Sequence, residues 1–386
     1  MTLERITVEQ QARTGDRRGR AMTVEGQGAG PPARRPQDAL EERQDSLEER
    51  HPGAYAERPG RIPPRGWWQV VRRGLGEFNA DQMSLIAAGV AFKAFLSLVP
   101  ALIAAILLYG LVVDPSQVER QVNSMTGVLP GSAQDLLSNE LHNLVSENHK
   151  KLGVGLVVSL LLALWSASGG VGNLVQAVND AYDEVETRSW VKRKVLAVGL
   201  TVGAIAVFTL TAALVAVFPA VENALRPPTT VRIGLEAARW LVVLVILGVS
   251  LALIYRVAPD RDSPRLRWVS VGAAVATVVW IALSVGFSVY VDRFASYDKT
   301  YGSLAGVVVL LLWIWLSLCA VLLGAEINAE SEKQTVRDTT VGEPVPQGQR
   351  EALKADLGPD DPEPRDADRR PADQARPADQ GSGTGG

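Results

Sequence analysis

Between Leu304 and Ala325 the chain carries no charged side chain, and Ser317 and Cys319 are its only faintly polar groups. At ~1.5 Å per residue, a helix of that length crosses a hydrocarbon core of ~30 Å. A core helix of a water-soluble protein keeps one polar face, and this run keeps none. It stops in charge, at Glu326, Glu330, Glu332 and Lys333. The stretch therefore reads as a membrane-spanning helix with a wet end, and the rest of the chain must be compatible with a bilayer as solvent.

The mean hydropathy of +0.09 and the 21% charged content look soluble only because charge is segregated. Residues up to about Asp81 and after about Glu330 are polar, while Leu, Val, Ile and Trp gather in the middle. A net charge of −3 gives no sign of a nucleic-acid partner. The single cysteine, Cys319, excludes an internal disulfide and a cysteine-based zinc site.

Residues 1–66 show no hydrophobic period, and no apolar core follows the N-terminal charges, so a disordered tail without a signal peptide is expected. Within it, Ala39–His51 has the makings of a short charged helix. Arg61, Arg65, Arg72 and Arg73 with Trp67 and Trp68 suit an interfacial helix, or simply the flank of the first span. A transmembrane domain over 67–332 then holds six apolar spans, at about 85–113, 154–168, 195–218, 238–255, 268–291 and 304–325. Pro100 removes a backbone donor and is expected to kink the first. The second is short before Ser166–Gly172, but Leu174–Tyr182 keeps helical spacing and should prolong it. Residues 333–386 return to Pro, Asp, Arg and Gly, with RPADQ occurring twice, and read as a second disordered tail.

The loop after span two carries Arg188, Lys192, Arg193 and Lys194, and the loop after span four carries Arg256, Arg261, Arg265 and Arg267. The opposite connections hold Arg226, Arg232, Arg293 and Lys299, and 114–151 sets Arg120, Lys150 and Lys151 against five acids. The bias places both termini in the cytoplasm, Trp190 and Trp268 at the cytoplasmic interface and Trp240 near the outer one. Within 114–151, Val118, Val122 and Met125, and then Leu137, Leu141, Leu144 and Val145, predict two short amphipathic outer helices.

Five stretches, AAGVAFKAFLSLVP (87–100), LWSASGG (164–170), NDAYDEVETRSW (179–190), LIYRVAPDR (253–261) and YGSLAGVVVLLLWIWLS…LLGAEINAESEKQT (301–335), resemble, in order, the YihY/BrkB family of bacterial inner-membrane proteins. The likeness covers about Trp67 to Asp356. It implies a six-helix integral membrane protein with no settled activity, since members bear labels of ribonuclease BN, virulence or serum resistance, and envelope lipid export. In sequences like these the position of Lys93 is more often aromatic, so a role for this lysine would be particular to this chain.

Ribonuclease chemistry needs a His/Lys acid–base pair or carboxylates holding metal. His51 lies in a tail, and His142 and His149 stand seven residues apart in the outer segment, where solvated helix positions are the plainer reading. No Walker loop, dinucleotide turn or triad order is present, so no catalytic residue, metal or cofactor is expected. Charges inside or at the edge of a membrane are the better candidates. Lys93 lies about eight residues into span one, either snorkelling or meeting an anionic headgroup. Glu326 and Glu330 share a helix face at the end of span six. They either end the helix in charge or form a salt-bridge gate with Arg188 or Arg256. Asp183, Glu184, Glu186 and Arg188 read as a structural network. Gly199/Gly203 and Gly302/Gly306 have close-packing spacing, expected within one protomer.

The sequence thus predicts an all-α, six-span inner-membrane protein without enzymatic chemistry that handles a lipid or other amphiphile in envelope biogenesis. Its partners would be membrane lipids and possible envelope proteins. The rivals are a regulatory or structural partner of an envelope complex and a membrane-bound ribonuclease.

Overall fold

A computed structural model describes residues 36–110, 149–225, 228–294 and 303–361. Residues Met1–Ser46 and Leu47–Gly386 form two separate units. Of the first, residues 36–46 are described, and they are helical within α1 (Pro36–Arg50). The second is all-α. After a single 3-10 turn at Pro59–Arg61 come α2 (Pro64–Ala80), α3 (Met83–Gly110), α4 (His149–Ala181), α5 (Trp190–Leu225) and α6 (Thr229–Val257). Then follow α7 (Leu266–Phe294), α8 (Ser303–Lys333) and the one-turn α9 (Leu353–Asp356). Among the described residues the only extended pairing is an isolated bridge between Pro264 and Thr340.

Six of these helices, α3 to α8, are long and apolar enough to cross a membrane. Their outward faces carry Phe92, Leu96, Leu161, Leu162, Phe208, Val245, Val249 and Val285 in the open. Large apolar side chains left uncovered over so much surface need a bilayer rather than water around them. The interior is built from small residues, including Ala87, Ala91, Ala177, Ala181, Ala273, Ala276, Ala325 and Ala329, which let helix backbones approach.

α8 is the hub, packing on α3 and α7 with α2 along its last turns. Its closest approach is to α7. A Cβ on Gly324 would meet Gly272 O at 2.6 Å and Tyr255 Oη at 2.5 Å, and one on Gly272 would strike Gly324 O and the Asn328 amide. Asn328 uses that gap, accepting Gly272 N–H at 2.6 Å and donating to Val269 O at 3.2 Å.

α4 is continuous through its glycines, as the spacing after them predicts, and Pro100 lies inside α3. Other expectations change. Gly199, Gly203 and Gly306 face open space and are not helix–helix contacts, while Gly302 lies outside the described residues. Trp268 is buried against Ala56, Ile62 and Trp67, whereas Trp190 and Trp240 are exposed. The proposed outer helices lie outside the described residues.

The largest difference concerns the presumed tails. Residues 51–63 and 334–361 pack onto the end of α8. Thr335 Oγ1 lies 2.9 Å from Ala56 O and 3.1 Å from Ala54 O, and Val336 N–H bonds Ala54 O at 2.8 Å. Arg350, buried, donates to Val336 O at 2.8 Å and Val345 O at 3.2 Å. These segments have few apolar residues, and they fold by satisfying polar groups of the helix end, a gain that hydrophobic periodicity does not register.

Candidate functional site

The last two turns of α8, from Glu326 to Lys333, are buried despite their charge. Burial of ionised groups is tolerated only with partners, and each acid has a different answer. Glu332 receives both terminal nitrogens of Arg261, at 2.7 and 3.1 Å, and the Thr339 hydroxyl at 2.8 Å. Arg261 also lies over the Tyr182 ring at 4.3 Å. Burial disfavours its charge, but Glu332 outweighs that and raises its pKa. Glu330 receives Arg73 Nε at 2.7 Å on one oxygen and Lys354 Nζ at 3.0 Å on the other. Lys354 Nζ also lies 2.8 Å from Asp183 Oδ2. Both oxygens of Glu326 are buried and accept no hydrogen bond.

The predicted gate is therefore corrected: neither Glu326 nor Glu330 pairs with Arg188 or Arg256. Arg188 is held by Glu186 at 2.9 Å and by Ala258 O at 2.7 Å, with Asp260 at 3.4 Å. Burial works against the Asp260 carboxylate, but Thr187 and Arg188 hold its pKa below the ordinary range. Arg256 is half-buried on α6. The partners missed in the sequence, Arg73, Arg261 and Lys354, come from α2, the α6–α7 loop and α9. The signal was present as three acids closing an apolar helix, which call for cations nearby.

Beside this cluster is a cleft of about 500 Å³ between the α2–α3 junction, which contributes Asp81, Met83, Leu85 and Ile86, and the end of α4 and the loop after it, which contribute Asp180, Asp183 and Glu184. Two of the three non-glycine residues with left-handed φ among those described, Gln82 (53°) and Asp183 (59°), line it. Such backbones are costly and persist where surrounding contacts fix them. Glu184 accepts Leu353 N–H at 2.8 Å, and its pKa is pushed up to about 7, by burial first and also by Glu332 and Asp183, against the pull of Arg261.

A second concavity lies within the membrane-spanning part. About 340 Å³ in volume, it is walled by Val90, Ala94, Leu98, Leu174, Ile205 and Phe208 from α3, α4 and α5, with Ser97 and Thr201 as minor polar groups. Ser97 accepts Gly170 N–H at 3.1 Å, tying α3 to α4. One turn nearer the charged end, Lys93 Nζ donates to Asn173 Oδ1 at 2.9 Å. Lys93 is thus an exposed cation at the margin of an apolar groove, held by a neighbouring helix. His51 meets Asp360 at 2.6 Å, and His142 lies outside the described residues. Among the described residues no group of three or more His, Cys, Asp or Glu side chains is placed to hold a metal ion.

The sequence profile named Virulence factor BrkB matches residues 75–347. The chain is 32% identical over 256 residues to a ribonuclease-like protein, YfkH, of Bacillus subtilis, a match covering 64% of this chain and 90% of that one. It is 29% identical over 258 residues to a UPF0761 membrane protein of Xanthomonas campestris, and 30% identical over 259 residues to one of Xanthomonas oryzae. Each of these two matches covers 65% of this chain and 57% of the relative, so the chain spans little more than half their length. No solved structure matches it.

Proposed function

We propose that this chain, which belongs to the Virulence factor BrkB family of membrane proteins, handles or translocates a lipid or other amphiphile in the bacterial inner membrane, with both termini in the cytoplasm. The observation that carries the reading is the apolar groove between α3, α4 and α5 with Lys93 at its margin. An acyl chain fits a slot whose walls are almost wholly hydrocarbon, and a phosphate or carboxylate headgroup suits a lysine that Asn173 keeps beside that slot. Snorkelling alone would send the ammonium towards the helix end rather than across to α4. The basic loops after α4 and α6 support the cytoplasmic placement of the charged end.

The test is lipid movement in liposomes, counted per folded molecule. Wild-type protein should accelerate transbilayer movement of a labelled anionic lipid. Lys93→Met should abolish it while inserting and folding normally, and Lys93→Arg should retain part of it because the charge is kept. Unchanged activity of Lys93→Met at normal abundance would overturn the headgroup role.

A further inference from the structure

Lys192, Arg193 and Lys194 stand together in the first turns of α5, just after Trp190. The acids of the preceding loop are engaged by other groups. Glu186 gives both oxygens to Arg188, at 2.9 Å each, and Glu184 accepts Leu353 N–H. Asp260, which packs on that loop, takes the Thr187 amide and hydroxyl at 2.6 Å and the Arg188 amide at 3.1 Å. Among the described residues, none of the three cations makes an ion pair. Lys194 is nevertheless fixed in place. Its ammonium donates to Trp165 O at 2.7 Å and lies 4.4 Å over the Trp165 ring. Trp190 meets Trp165 edge to face, with ring centroids 5.6 Å apart, and both indoles are about half exposed. An ammonium carries three N–H groups, and Trp165 O takes one of them.

We propose that Lys194, framed by Trp165 and Trp190, is the centre of a binding site for the phosphate of an anionic phospholipid, with Lys192 and Arg193 adding charge. Uncompensated cations beside a bilayer attract anionic lipid, and the N-terminus of a long helix adds partial positive charge of its own. Indoles suit the headgroup layer, where one edge is wet and the ring is not. Acyl chains have exposed apolar side chains to follow, Leu162 on α4 and Val191 and Val195 on α5. A zwitterionic headgroup fits less well. Its own ammonium would need an acid or an open aromatic face, and Lys194 already covers the face of Trp165. A lipid held here bridges α4, through Trp165, and α5, through Lys194. None of these residues lines the groove at Lys93, so either site can fail without the other.

The experiment uses the full chain in phosphatidylcholine nanodiscs doped with lipid whose brominated acyl chains quench indole fluorescence on contact. Brominated phosphatidylglycerol should reach a given quenching at a several-fold lower mole fraction than brominated phosphatidylcholine. Lys194→Gln should remove most of that difference, and Lys192→Gln/Arg193→Gln part of it, while quenching by brominated phosphatidylcholine stays as in the wild type and reports normal insertion. The chain has nine tryptophans, so Trp165→Phe/Trp190→Phe shows where the difference is read, and it too should remove most of it. Lys93→Met should leave it intact. Equal quenching by the two brominated lipids in the wild-type protein would overturn the site. So would a difference that survives Lys194→Gln, or that survives loss of both indoles, a pair of conservative changes that decides the matter should Lys194→Gln fail to insert.

Discussion

At the scale of single residues, the charged end depends on cations set against buried acids, Arg261 on Glu332 and both Arg73 and Lys354 on Glu330. Glu184 titrates in an accessible range. Its carboxyl is lifted from an ordinary 4.5 to about 7 in the folded protein, so between those values the folded chain holds a proton that the unfolded chain has released. Stability then falls as pH rises through that window, because the unfolded state binds fewer protons there. A thermal melt series from about pH 4.5 to about pH 7 should show a declining midpoint, and Glu184→Gln should flatten the decline. A midpoint that rises over this range in the wild type and is unaltered by the substitution would contradict the assignment. The sequence shows Glu326 and Glu330 as membrane-edge acids worth attention, and they do lie at the centre of the cluster. It does not show their partners, because Arg188 and Arg256 are as near in topology as Arg73 and Arg261, and only packing chooses between them.

At the scale of elements, helix contacts follow shape rather than motif. The Gly199/Gly203 pair has the spacing of a close-packing signature and faces open space, while Gly272 and Gly324, each spaced four residues from an alanine rather than from a second glycine, bring α7 and α8 together. Gly324→Ala should therefore destabilise the folded protein by about 1–3 kcal/mol, the usual cost of overpacking, and Gly272→Ala by at least as much. Gly199→Ala should be neutral or slightly stabilising, because alanine is the better helix former. Denaturant or thermal unfolding in detergent checks all three, and equal effects at Gly199 and Gly324 would contradict the packing. The segments 51–63 and 334–361 were illegible for a related reason. Sequence reading weighs apolar periodicity, which they lack, whereas they bind through backbone groups, Thr335, Arg350 and Lys354.

At the scale of the whole molecule, the six spans were legible because a bilayer imposes length and hydropathy on each helix independently of its neighbours. The groove at Lys93 was only half legible: the lysine stands out as an intramembrane charge, but the walls come from three helices whose mutual rotation no single span encodes. What joins the scales is sidedness. The charged end gathers α2, the loops after α4 and α6, the end of α8 and the α9 segment, and the proposed function requires that this end face the cytoplasm. Labelling with a membrane-impermeant thiol reagent in intact cells tests that most directly, using single cysteines at Ser138 and at the exposed Asp262 in a Cys319→Ser background. The account predicts labelling at position 138 and none at 262 until the membrane is permeabilised. Labelling at 262 with protection at 138, or equal labelling of both in intact cells, would contradict it.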